Sequence, residues 1–126
     1  MAVDTSALMA VVLNEHGAAA CSTALRSDPR RLISAVTVAE ALIVASGKNV
    51  LPDMTEFLDR LGCEVVAVSA ATPRRVSQIY RTWSKGRHPA RLNFGDCFAY
   101  DTARLHDCPL LFVGEDFRRT DIVSAL

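Results

Sequence analysis

The chain is predicted to adopt an α/β fold, a central, mostly parallel β-sheet flanked by α-helices, and three observations carry that prediction. Short apolar or β-branched runs alternate with longer helix-like segments from one end to the other, the pattern of strand–helix–strand units. Turn and cap signals (Pro29, Gly47, Pro52, Gly62, Pro73, Pro89 and Gly114) fall between those segments. With 126 residues, half of them hydrophobic, and no linker, repeat or low-complexity tract, residues 1–126 make one domain able to bury a core.

Residues 2–4 read as a first strand, clipped by the chain start, and residues 6–13 and 17–27 as helices, the second broken at Pro29. A strand over 31–35 leads into a helix over 37–46 that Gly47 ends. Pro52 opens a helix running to Leu61, where Gly62 stops it, and the β-branched run 64–68 is the next strand. Thr72 caps a long basic helix with Pro73 in its first turn, the position proline prefers. That helix ends before His88-Pro89, because the residue preceding a proline disfavours helical geometry. Residues 93–106 form a helix, 110–113 a buried strand, and Gly114 the turn after it.

Bulk properties narrow the function classes. The apolar stretch 7–13 is too short to span a bilayer and lacks the basic flank of a signal peptide, so a cytoplasmic protein without a membrane partner is expected. Cys21, Cys63, Cys97 and Cys108 have no CxxC spacing, and reduced, partly buried thiols are expected. Net charge is zero, yet residues 65–95 contain no acid while holding Arg74, Arg75, Arg81, Lys85, Arg87 and Arg91. A block of that kind can dock phosphates, Arg87 and Arg91 being the candidates singled out; a solvated helix face has the same composition.

Four acids, Asp4, Glu40, Asp96 and Asp116, each stand where an apolar run meets a turn or a helix. Strand ends in an open α/β sheet converge on one crevice, so acids distant in sequence can meet there. Each also has a local explanation. Asp4 or Ser6 can cap the first helix, and a carboxylate with two oxygens can cap and ligate at once. Thr37-Val38-Ala39-Glu40 matches the capping-box pattern, although a carboxylate among so many apolar neighbours is expensive to bury unpaired. Asp96 suits the positive end of a helix dipole, and Asp116 is an ordinary turn acid. Glu115 and Asp121 are additional candidates, whereas Asp101, about 140° around its helix from Asp96, faces elsewhere. Carboxylates sharing one site raise one another's pKa unless a cation offsets them, and an oxygen-only set selects a hard ion, Mg²⁺ or Mn²⁺.

Four segments, Val3-Asp4-Thr5-Ser6-Ala7, Ala39-Glu40, Leu92-Asn93-Phe94-Gly95-Asp96-Cys97 and Gly114-Glu115-Asp116-Phe117, together span nearly the whole chain. In this order the chain resembles the PIN-domain ribonucleases, and among them the VapC-type toxins of bacterial toxin–antitoxin pairs. Asn-Phe-Gly-Asp-Cys is the most specific of these stretches. The resemblance implies a PIN-like nuclease domain with Asp4, Glu40, Asp96 and Asp116 as catalytic and metal-binding residues around Mg²⁺. It implies Ser6 as a polar helper beside Asp4 on the substrate side, an RNA substrate, homodimerisation and a cognate small antitoxin. Residues 7–13 and 36–45 offer apolar segments for such a partner. Tyr100-Asp101 departs from the small, apolar residues expected there.

Two other classes fit parts of the pattern. A Mg²⁺-dependent phosphatase or phosphoacceptor domain also gathers acids at strand ends, but position 6 is Ser where an acid would be needed, and neither Lys48 nor Lys85 follows an apolar strand. A non-catalytic PIN-like interaction module would keep the acids as caps and bind normally without them. Metal-free RNase chemistry would use histidines, and His16, His88 and His106 lie outside the acidic segments.

Overall fold

Strand β1 (Ala2–Val3) lies inside the sheet, where both of its backbone edges are paired. The computed structural model describes residues 1–126. Strand β2 (Leu32–Ser34) pairs on one side of β1 and β4 (Leu110–Leu111) on the other, with β3 (Glu64–Val66) beyond β2. Every pairing is parallel, so the order β3-β2-β1-β4 reverses direction at β1. Such a reversal opens a crevice at the carboxyl ends of the two strands that diverge, here β1 and β4. Asp4 follows the first of them directly, and its backbone N–H donates to the Leu111 carbonyl at 2.9 Å.

Helices cover both faces. They are α1 (Thr5–Val12), α2 (Ala18–Ser27), α3 (Ala35–Gly47), α4 (Leu51–Leu61), α5 (Thr72–Trp83) and α6 (Phe94–Leu105). Alternation along the strands separates two cores. Val3, Ile33 and Leu111 pack with Leu8, Leu25 and Met54 under α1–α4, while Ala2, Leu110 and Phe112 pack with Cys97, Phe98 and Tyr100 of α6. None of these helices is long and apolar enough to cross a membrane. All four cysteines are free, with Cys21 and Cys97 buried.

Local differences from the expected elements have local causes. Ser34, not Thr37, caps α3, because β2 stays paired through Ser34 and the helix starts at the next residue. Thr37 is thereby fully buried in the first turn, and the expected Thr37–Glu40 capping box does not form. Thr72 is the first residue of α5 rather than its cap, its hydroxyl accepting from the Ser69 N–H at 3.0 Å. That helix ends at Trp83, several residues before Pro89, as Ser84 turns to bridge with Leu92. Strand β3 is shorter than expected and lies at the sheet edge, with Val65 more than half exposed. Of the apolar segments offered to a partner, Ala7–Ala10 is core, whereas α3 presents Ala39 and a 71 % exposed Ile43 to solvent.

Candidate active site

Asp4 is built into the start of α1. Its backbone is extended, and its Oδ2 accepts from both the Ser6 N–H at 2.9 Å and the Ser6 hydroxyl at 2.6 Å. The Ser6 oxygen in turn accepts from the Val113 N–H at 3.0 Å, tying this cap to the segment leaving β4. Ser6 is therefore a positioning residue for Asp4, since its one hydroxyl proton is spent on the carboxylate. Asp4 is only 4 % exposed, and burial raises its carboxyl pKa, with the Glu40 charge adding to the rise and the Ser6 bonds opposing it. Capping and site membership coexist because Oδ1 is left over from the cap.

Glu40 projects from the second turn of α3 toward α1 and α6. Its Oε2 accepts from the Thr5 hydroxyl at 2.7 Å. The carboxylate also lies against the backbone of Gly95, where an added Cβ would stand 2.7 Å from Cδ and 2.8 Å from Oε2. A side chain at 95 would displace the Glu40 carboxylate from that space. The glycine of Asn93-Phe94-Gly95-Asp96 thus lets Glu40 lie against the start of α6.

Asp96 forms the capping box that was expected at Glu40. Asn93 Oδ1 accepts from the Asp96 N–H at 2.9 Å, and Asp96 Oδ2 accepts from the Asn93 N–H at 2.7 Å. Burial pushes the Asp96 carboxyl up to about 7; the Asn93 bond opposes this, and the charges of Asp4, Glu40 and Asp116 add to it. Asp96 therefore feels all three of the other acids, contributed by the ends of β1 and β4 and by α3. Asp116 stands on the exposed rim, held out by Gly114 at φ +108° and leading into a short 3₁₀ turn, Phe117–Arg119.

The other acidic candidates are engaged elsewhere. Asp101 is buried and accepts both Arg75 Nε at 2.7 Å and Nη2 at 2.8 Å, a bidentate pair joining α5 to α6. That removes Arg75 from the phosphate-docking set. Asp121 accepts the Tyr100 hydroxyl, and Glu115 faces Arg118 at 3.7 Å. His106 caps the far end of α6, roughly 15 Å from Asp96 at the helical rise, so no histidine chemistry serves this pocket from there. Arg87 joins Arg74 and Arg81 around a wholly polar cleft of about 510 Å³ on α5. Arg91 sits in the exposed loop before Leu92, with a left-handed backbone at φ +57°.

No three acidic, histidine or cysteine side chains stand close enough to enclose an ion as placed. The donor chemistry nonetheless fits a hard cation: the charges that meet at Asp96 are those of carboxylates, which a divalent ion would offset. Asp96 turns one oxygen back to Asn93.

With this geometry, similarity to known proteins becomes informative. The family model described as PIN domain matches residues 1–123. Ribonuclease VapC30 of Mycobacterium tuberculosis is 40 % identical over 98 % of this chain and 97 % of its own. Ribonuclease VapC of Mycolicibacterium smegmatis is 39 % identical over 98 % of each. Among solved structures, Mycobacterium tuberculosis VapC20, titled a sarcin-ricin loop cleaving toxin, superposes with a TM-score of 0.79 at 17 % identity, covering 97 % of this chain and 95 % of its own. A toxin–antitoxin complex from Klebsiella pneumoniae gives 0.72 at 19 % identity over 99 % and 97 %, and at such identities the likeness speaks for the fold alone. Sheet order, the acids at its strand ends and these relatives agree, and the chain belongs to the PIN-domain family, within its VapC ribonuclease branch.

Proposed function

We propose that this chain is the toxin of a toxin–antitoxin pair and an endoribonuclease that hydrolyses RNA phosphodiester bonds with a divalent ion, Mg²⁺ or Mn²⁺. The observation that carries this reading is the convergence of charge on Asp96, whose carboxyl is driven up to about 7 by burial and by Asp4, Glu40 and Asp116. Carboxylate charges that reach Asp96 raise its proton affinity, an electrostatic demand that a divalent cation would meet. Relatives named as ribonucleases at 40 % identity supply the substrate class.

Asp4 and Asp96 would be the direct ligands of a divalent ion, with Glu40 and Asp116 completing the shell, and the ion would supply a lowered water pKa and charge stabilisation at the phosphate oxygens. The chain's own residues do the positioning. Ser6 aims Asp4 and opposes the rise that burial imposes on its pKa, Thr5 fixes Glu40, and Asn93 sets the Asp96 rotamer. Arg74, Arg81, Arg87 and Arg91 attract the RNA backbone, which the acids alone would repel.

The same reading places the protein in the cytoplasm as a homodimer, restrained by a small antitoxin whose helix covers the exposed Ala39 and Ile43 of α3. An Arg or Lys of that partner meets the electrostatic demand of the acidic pocket in place of the ion. Expression of the chain alone should arrest growth, and the Asp4→Ala chain should not. Unimpaired growth with folded wild-type protein present would assign the chain to the non-catalytic interaction module instead.

A further inference from the structure

Beside the acidic pocket lies a second feature that metal chemistry does not use. Phe94, the first residue of α6, is 65 % exposed although it is a large aromatic, and its ring meets Phe98 edge-to-face at 5.0 Å between centroids. Together with Val68, Val76 and Tyr80 these rings line a groove of about 500 Å³ between α5 and α6. Arg81 and Ser77 belong both to this groove and to the polar cleft that Arg74 and Arg87 line. An apolar aromatic trough therefore runs directly into a row of three arginines with no acid among their neighbours in the cleft.

We infer that this groove is a base-binding subsite: it takes an unpaired nucleobase of the RNA strand, stacked on Phe94, while Arg81, Arg74 and Arg87 hold the adjoining phosphates. This deepens the ribonuclease reading and rests on it. The charge pattern selects the occupant. An amphipathic protein helix would need acids in register with all three arginines, whereas a single strand carries flat bases and an anionic phosphate at every nucleotide and so matches wall and arginines together. Position supports it as well. Phe94 and Asp96 leave the same helical turn about 200° apart, so groove and acids flank the N-terminal end of α6. Side chains there lean toward the helix start, and a single strand crossing that end meets the acids on one side and Phe94 on the other. A duplex could not present a base in this way, so the subsite selects unpaired strands.

The test uses the full-length Asp96→Asn chain, so that the strand stays intact, and single-stranded oligoribonucleotides carrying one 2-aminopurine at successive positions. One position, a few nucleotides from the site of cleavage by the wild-type chain, should show quenched fluorescence on binding. Adding Phe94→Ala should abolish that quenching and weaken binding about ten-fold, with the salt dependence unchanged. Phe94→Trp should restore both. Arg81→Ala should instead lower the salt dependence. RNA bound with undiminished affinity by the Phe94→Ala chain, and no position quenched, would overturn the subsite while leaving the ribonuclease reading intact. If Phe94→Ala instead shifts the oligomeric state or releases the antitoxin without touching RNA affinity, the groove belongs to a protein partner and the inference fails. A chain that binds no RNA at all would end both.

Discussion

Gly95→Ala separates activity from stability at this site. An alanine Cβ would stand 2.7 Å from Glu40 Cδ, far inside the 3.4 Å at which ordinary contact begins, so the carboxylate must retreat by well over half an ångström. The Glu40 side chain is flexible and swings away, losing the 2.7 Å bond from Thr5. A hydrogen bond to a charged group is worth about 2 kcal/mol. Exchanging Gly for Ala in a helix returns about 1 kcal/mol. The net loss is about 1 kcal/mol, a fall in Tm of about 4 °C for a domain of this size. Catalysis should suffer far more, because displacing a group by this much removes it from productive geometry, on the order of 100-fold in kcat/KM. Thermal unfolding and RNA cleavage measured on the same preparation read both numbers. Gly47→Ala, at a site with open space around it, is the control and should change neither by much. Cleavage within a few-fold of wild type in a folded Gly95→Ala protein would refute the placement of Glu40 in the site. A Tm collapse beyond about 10 °C would show instead that α6 itself had been displaced.

Other expectations follow from the same contacts. Without a divalent ion, stability should fall as pH rises from about 4 to about 7 and level off above. The folded state raises the Asp96 carboxyl from 3.8 to about 7, so it binds a proton there that the unfolded chain has released. The effect should be on the order of 2 kcal/mol after discounting for solvent near the site, and Asp96→Asn should flatten the Tm–pH curve. Mg²⁺ at a hundred-fold excess over its Kd should raise wild-type stability by about 2.7 kcal/mol and leave the Asp96→Asn chain nearly unmoved, checked by thermal shift with EDTA as reference. Arg75→Ala should destabilise by about 2–3 kcal/mol in chemical denaturation, since it strands the buried Asp101, with kcat of the folded fraction preserved. Reversing Arg87 and Arg91 to Glu should leave Tm unchanged and reduce the slope of log K for RNA against log salt by about one and a half.

The sheet and the order of its elements were legible because apolar runs and turn residues encode them locally. Asp4 directly after β1 and Asp96 in the first turn of α6 stand where the apolar runs and caps indicate, while Glu40 lies in the second turn of α3. What the sequence hid was decided by tertiary pairing. Thr37-to-Glu40 and Asn93-to-Asp96 have the same capping spacing, but only the second forms, because β2 remains paired to Ser34 and moves the start of α3 upstream. Arg75 looked like its basic neighbours, and its partner Asp101 lies 26 residues away on another helix with no local signal joining them. Ser6 was expected as a polar helper beside Asp4, and it bonds Asp4; what the sequence hid is that it also accepts from Val113, a link across 107 residues that depends on β1 and β4 being adjacent. The spacing of Gly95 from Asp96 was visible, but not that Glu40 would occupy the missing side chain's place.

The central claim is hydrolysis by an activated water at a four-carboxylate divalent-ion site. It is tested most directly by incubating the chain with a mixed RNA pool, with Mg²⁺ and with EDTA, and mapping the chemistry of the ends formed. Cleavage should occur only with the divalent ion, with products carrying 5′-phosphate and 3′-hydroxyl ends, and none should come from the Asp96→Asn chain. Ends bearing 2′,3′-cyclic phosphate, or equal cleavage in EDTA, would contradict it.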